Sequence, residues 1–191
     1  MAASDSKDRF LDATARLLRE RGFAATGIAD VVAASGAPKG SLYFLFPGGK
    51  EQLVAEALAR SGAQTCMLMK AALDGEKSAR AGLDVIVEFL GAELESSGFR
   101  VGCPVGTVAA EAPEAPMVRD QVEHAIVLWH DAVKERLVAA GAKPRRADDL
   151  AELFLAIVEG AIVLAKARRT LRPLEVARKE IARLLQTEGL S

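Results

Sequence analysis

The stretch TGIADVVAASGAPKGSLYFLFPGGKEQL, residues 26–53, reads as two short helices around a tight turn. Thr26 is suited to cap the first of them, which ends near Ala34; Ser35-Gly36-Ala37 supplies the turn, and Pro38 suits the first position of the second helix. A three-residue turn is the length a helix-turn-helix needs. Ile28, Val31, Val32 and Leu42 are spaced to bury one side of the pair, leaving Lys39, Gly40, Ser41 and Tyr43 on the other. That second face has the character of one that enters a major groove. Phe44 and Phe46 are expected in the core of this small head, and Pro47-Gly48-Gly49 breaks the helix.

Outward from this segment, helical spacing recurs and alternating strand patterns are nearly absent, so the fold class expected is all-α, with about nine helices. Helix one covers Ser6 to Arg21, with Phe10, Ala13, Leu17 and Leu18 on one stripe and Gly22 at its end. A long fourth helix follows from Lys50 to about Leu73, its stripe including Leu53, Ala57, Met67 and Leu68. Ser78 caps a fifth helix with Leu83, Ile86, Val87, Leu90 and Leu94 inward, and a short helix of small residues spans Pro104 to Ala112, closed by Pro113 and Pro116. A helix from Pro116 to Ala140 places Val118, Val122, Ile126, Trp129, Val133 and Leu137 on one face. The last two helices run from about Arg146 to Arg169 and from Pro173 to Gln186. Leu150, Leu153, Phe154, Ile157, Val158, Ile162 and Leu164 make an apolar surface on the first of these that is wider than one buried stripe requires, and Gly160 and Ala161 within it admit a close neighbour. A homodimer is therefore expected, with Leu150, Phe154, Ile157, Ala161 and Leu164 at its interface.

Composition limits the alternatives. With 191 residues, half of them hydrophobic, the chain has ample material for a packed core. Charged residues interrupt every apolar run before the ~20 residues a bilayer span needs, so no membrane partner is expected. The N-terminal MAASDSKDRF lacks the apolar centre of a secretory signal, which makes the cytoplasm the expected location. Two cysteines, Cys66 and Cys103, match no metal or disulfide spacing, and His124 and His130 lie on different faces of one helix; no metal or other cofactor is expected. The net charge is -1, and residues 1–60 hold eight Lys/Arg against seven Asp/Glu, a local balance of +1. Affinity for DNA must then come from a few placed groups and not from an overall basic field.

The segment GFAATGIADVVAASGAPKGSLYFLFPGGKEQL resembles the DNA-binding half of the TetR/AcrR family of repressors. APKGSLY, FPGGKE and GCPVGTVAAE at residues 102–111 look most like the LmrA/YxaF branch. The resemblance implies a three-helix head over 1–49, joined by the fourth helix to an effector-binding and dimerisation body over 50–191 that pairs through its last two helices, which adds Ile181 and Leu184 to the expected interface. It implies a regulator, not an enzyme: a homodimeric repressor released from palindromic double-stranded operator DNA by a planar aromatic or drug-like effector, controlling an efflux or oxygenase gene. It also implies that Thr26 caps helix two against a phosphate, that Lys39, Gly40 and Ser41 face bases or backbone, that Tyr43 reaches a phosphate and that Lys50 completes the grip. Each role has physical sense, since glycine permits close approach while Lys and Tyr donate to phosphate oxygens. The family often carries His where this chain has Leu45, so one polar contact is missing and Leu45 is expected to pack.

An effector site in the second half needs apolar area with a few polar anchors. Met67, Phe89, Phe99, Cys103, Val108, Trp129, His130, Phe154 and Glu159 are the candidates, along with Met69; Trp129 offers stacking area and an indole donor. Two other classes of function remain on these residues: a small enzyme using Cys103 with His130, which lacks any acyl-transfer signature, and a helical module whose head binds a protein.

Overall fold

The computed structural model describes residues 2–111 and 114–190, and side chains from residue 5 onward. Among the described residues there are nine helices and no strand: α1 (Ala2–Arg21), α2 (Ile28–Ser35), α3 (Lys39–Leu45), α4 (Gly49–Gly75), α5 (Ala79–Ser96), α6 (Pro104–Glu111), α7 (Pro116–Ala139), α8 (Pro144–Arg168) and α9 (Arg172–Thr187). No described helix is long and apolar enough to cross a membrane. The helices form two compact units, one from residues 1–63 with 103–126 and the other from residues 64–102 with 127–191. Helices α4 and α7 contribute to both.

In the first unit Phe10, Leu11, Ala13 and Leu17 of α1 close on Val31 of α2, Leu42 of α3, Phe46, and Leu53 and Ala57 of α4. Phe10 and Phe46 meet edge to face with centroids 6.2 Å apart, a favoured aromatic geometry. Leu45 packs against this cluster, as its apolar character predicts. Polar contacts around it fasten α1 to its neighbours: Lys7 pairs with Glu56 at 2.7 Å, Arg60 with Asp8 and Asp12 at 2.8 and 3.3 Å, and the Arg9 guanidinium donates to the Ser35 carbonyl at 3.0 Å. Burial pushes the Glu56 carboxyl up, but hydrogen bonds from Lys7 and Gln52 and the Lys7 charge hold it below the usual carboxylate value. On α4 and α7, a Cβ added at Gly62 would lie 2.7 Å from the Ala125 Cβ, so the absence of a side chain is what permits that approach.

In the second unit α5, α8 and α9 bury Leu83, Ile86, Val87, Leu94, Phe154, Val158, Ile162, Leu174 and Ile181, together with Trp129, Val133 and Leu137 of α7. Ser78 caps α5 by accepting from the Ala81 amide at 3.2 Å. Arg136 donates to the Leu73 and Glu76 carbonyls, satisfying the C-terminal end of α4. Gly82 packs where a Cβ would meet Leu73 Cα at 2.8 Å, fixing the approach of α5 to α4.

Several sequence expectations need correction. Helix α1 begins earlier than Ser6, and α4 runs from Gly49 to Gly75. Helix α2 is capped not by Thr26 but by Gly27, whose amide donates to the Asp30 carboxylate at 3.2 Å. Pro38 is the cap of α3, one residue outside it. Met67 and Leu68 are exposed on α4, and the buried series is Leu58, Gly62, Cys66, Met69 and Leu73 at steps of three and four. Ile126 on α7 is exposed as well. Arg169 lies beyond α8 as its left-handed cap, at φ 52°. Helix α6 is described to Glu111; the expected end at Ala112 and Pro113 lies outside the described residues.

Candidate nucleic-acid interface

The turn between α2 and α3 is built from local chemistry. Gly36 takes φ +60°, the left-handed cap conformation that favours glycine, and its amide donates to the Val32 carbonyl. The Ser35 hydroxyl donates to the Val32 carbonyl at 3.0 Å and accepts from the Ala37 amide at 3.1 Å, while Arg9 holds the Ser35 carbonyl from α1. Pro38 then presets the entry to α3, whose Leu42 and following Phe46 are fully buried. Those two anchors leave little rotational freedom to α3. Gly49 at φ +66° and Gln52, which accepts from the Gly48 amide at 2.8 Å, complete the reversal into α4.

With α3 held this way, Lys39, Gly40, Tyr43 and Phe44 share its outward face at offsets of one, four and five residues. Tyr43 is 55% exposed and Phe44 83%. Ser41 sits at the edge of that face, half-buried. Phe44 is the principal correction here: the expectation that it joins Phe46 in the core fails, because two residues along a helix from the buried Leu42 is a rotation of about 200° and points away from the core. Its position relative to Leu42 is the signal that its aromatic character obscures. A Cβ added to Gly40 would meet nothing within 4 Å, so no contact among the described residues demands glycine there.

Lys50, in the first turn of α4, is half-buried, its ammonium 4.3 Å from the centroid of the Phe23 ring, a cation–π distance. Thr26 is 1% exposed and its hydroxyl donates to the Gly22 carbonyl at 2.6 Å, so the side chain is committed inside the head and does not reach outward to a phosphate. Glu111 of α6 is a residue the sequence reading passed over. Its carboxylate accepts from the Phe23 and Ala24 amides at 2.9 and 2.7 Å.

The effector candidates have different environments. Met67 and Phe89 are exposed, Val108, Trp129, Phe154 and Met69 are buried, and Phe99, Cys103, His130 and Glu159 are half-buried. Cys103 and Val108 belong to the first unit and the remainder to the second. The Cys103 sulfur accepts from the Gly106 amide at 3.3 Å in the first turn of α6, and the Thr107 hydroxyl donates to the Cys103 carbonyl at 2.7 Å. His130 lies 3.3 Å from both the Asp131 carboxylate and the Asp148 carbonyl. An open groove of about 540 Å³ on α7, lined by Asp131, Lys134, Glu135, Val138 and Ala139, contains none of the candidates.

Of the residues expected at a dimer interface, Leu150, Phe154, Ala161 and Ile181 are buried within their own chain and are corrected to core. Ile157 and Leu184 are half-buried and Leu164 is exposed. The outward apolar side of α8 consists of Leu153, Val163 and Leu164, with Ala156 and Gly160 between them and Ala167 one turn further on, and Val176 lies exposed on α9.

Residues 10–57 match the model of the bacterial regulatory proteins of the tetR family, and residues 79–180 match that of the LmrA/YxaF-like transcriptional regulator C-terminal domain. An HTH-type transcriptional regulator of Mycobacterium tuberculosis is 36% identical to this chain, with 95% of each covered. The HTH-type transcriptional regulator LmrA of Bacillus subtilis is 30% identical over 91% of this chain and 93% of its own. Among solved structures, the TetR family regulator CifR, in a cysteine-substituted form complexed with 26-base-pair operator DNA, superposes with a TM-score of 0.78 at 27% identity, covering 92% of this chain and 94% of that one. A regulatory protein TetR from Rhodobacter sphaeroides superposes with a TM-score of 0.83 at 25% identity, covering 92% and 96%. The chain thus belongs to the TetR family of DNA-binding transcriptional regulators, in the branch with an LmrA/YxaF-like C-terminal domain.

Proposed function

We propose that this regulator is a cytoplasmic homodimeric repressor that is not an enzyme and that releases a palindromic operator when a small aromatic or drug-like effector binds. Residues 1–49 supply the DNA-binding head and residues 50–191 the effector-binding and dimerisation body. The observation that carries the reading is the outward face of α3, where Lys39, Gly40, Tyr43 and Phe44 stand together on a helix pinned from behind by Leu42 and Phe46. Lys39 and Lys50 donate to phosphates and Tyr43 to a phosphate or a base edge. Ser41 contacts the backbone, Gly40 lets the groove floor approach, and Phe44 offers an apolar surface to thymine methyl groups. In a two-fold dimer the paired α3 helices reach half-sites about 34 Å apart or a multiple of that. The effector acts only through its preference for a state in which that spacing is wrong. Trp129, His130, Phe154 and Glu159 of the second unit supply its stacking area and polar anchors. Selection of binding sites from a random duplex pool tests the reading: enrichment of an inverted repeat is the expected result, and a pool that stays unenriched after repeated rounds overturns it. Screening planar aromatic compounds for release of the selected duplex then tests the effector class.

A further inference from the structure

We infer that Glu111 is a positioning residue for DNA binding, fixing through Phe23 where the Lys50 ammonium stands. The inference rests on the DNA-binding reading above and deepens it. Glu111, the last described residue of α6, uses both carboxylate oxygens on consecutive main-chain amides, Oε1 on Phe23 at 2.9 Å and Oε2 on Ala24 at 2.7 Å. An anion bridging two successive N–H groups fixes the direction of that backbone more tightly than either bond alone. The turn leaves room for it: Gly22 takes φ +79°, and a Cβ there would lie 1.6 Å from Glu111 Oε1. The same turn ends in Thr26, whose hydroxyl returns to the Gly22 carbonyl, immediately before the Gly27 cap of α2. Glu111 therefore holds the segment by which the chain enters the helix-turn-helix.

From that segment the Phe23 ring extends beneath Lys50 at 4.3 Å. A lysine has four rotatable bonds, and an ammonium resting on an aromatic face has fewer positions to give up when it meets a phosphate. All of these groups lie in one compact unit, so the connection from α6 to Phe23 to Lys50 needs no rearrangement elsewhere. Without the carboxylate the two amides lose their acceptor, the turn loosens and Lys50 loses its platform.

The test uses the full chain and the duplex it selects from a random pool, with affinity read by fluorescence anisotropy over a salt series. Glu111→Gln and Glu111→Ala are expected to weaken binding about tenfold and to flatten the log–log salt slope by about one unit, the signature of one lost phosphate contact. Adding Lys50→Ala to Glu111→Ala should cost less than a further twofold, because both changes remove the same contact. Amide exchange at Phe23 and Ala24 should quicken at least tenfold in both Glu111 variants. Unchanged affinity and slope, or losses from Glu111→Ala and Lys50→Ala that simply add, overturn the inference. Should Glu111→Ala fail to fold, Phe23→Leu decides the matter, since it keeps both amides for Glu111 and removes only the ring: a slope flatter by one supports the inference and an unchanged slope overturns it. A native chain that selects no sequence and binds no duplex overturns the DNA-binding reading itself, whereas a native chain that binds beside a full-strength Glu111→Gln overturns the Glu111 role alone.

Discussion

A residue on the outward face of α3 is free of the demands of the fold, and that freedom makes its identity informative. Glycine in a helix costs about 1 kcal/mol relative to alanine, and at Gly40 an added methyl meets nothing within 4 Å among the described residues. Gly40→Ala is thus expected to raise stability by about 0.5–1 kcal/mol in denaturant unfolding while weakening binding to the selected duplex; a variant that binds as tightly as the native chain excludes close approach at this position. Phe44→Ala makes the complementary case. With the ring 83% exposed, its removal should change stability by less than about 0.5 kcal/mol yet relax discrimination at one base position when site selection is repeated. Burial at Leu42 and Phe46 was legible from helical spacing alone. Phe44 was not, because an aromatic residue weighs toward the core in any composition-based reading while only its angle to Leu42 shows that it faces out. Thr26 was misread because threonine and glycine cap helices about equally well, and the chain settles the competition by giving the Thr26 hydroxyl to Gly22 and leaving the cap to Gly27 with Asp30.

At the level of elements, helix identity and order followed from apolar periodicity, and boundaries shifted by a few residues where caps come from elsewhere. Arg9 of α1 serves the end of α2, and Arg136 of α7 serves the end of α4, partners that no local window contains. On α4 the stripe passes through Gly62 and Cys66, so that Met67 and Leu68, adjacent in sequence to buried residues, face outward. An ion pair joins α7 to α8: Lys134 donates to Asp148, and that hydrogen bond holds the Asp148 carboxyl below its usual value, with the Lys134 and His130 charges adding to the effect. The same bond holds the Lys134 ammonium above its usual range. Because the folded-state value of Asp148 is depressed, the pair's contribution is present above the unfolded Asp value of about 3.9 and lost as the pH falls through the folded one. Asp148→Asn should therefore melt slightly below the native chain at pH 7, with the gap closing below about pH 4. A gap that persists into acid assigns the loss to packing instead.

For the whole molecule, the decisive question is which apolar residues the single chain leaves uncovered. Leu150, Phe154, Ala161 and Ile181 are used internally, while Leu153, Val163 and Leu164 of α8, the last two 63% and 47% exposed, stay outside with small residues between them. A 20.2 kDa chain that pairs through this face should scatter light as a particle of about 40 kDa at micromolar concentration, twice its own mass. Val163→Glu combined with Leu164→Glu should return it to one chain and, because single heads lose the second half-site, reduce affinity for an inverted repeat by a hundredfold or more. A native chain of monomer mass refutes the pairing. The sequence by itself determined the helical class, the order of the elements, the turn at Ser35-Gly36-Ala37 and most of the outward residues of α3, because periodicity and cap chemistry act within one or two turns of helix. Tertiary structure alone decided that Glu111 grips the turn after α1 and which half of α8 is core, because the first depends on a partner 88 residues away and the second on the rotation of a helix about its own axis.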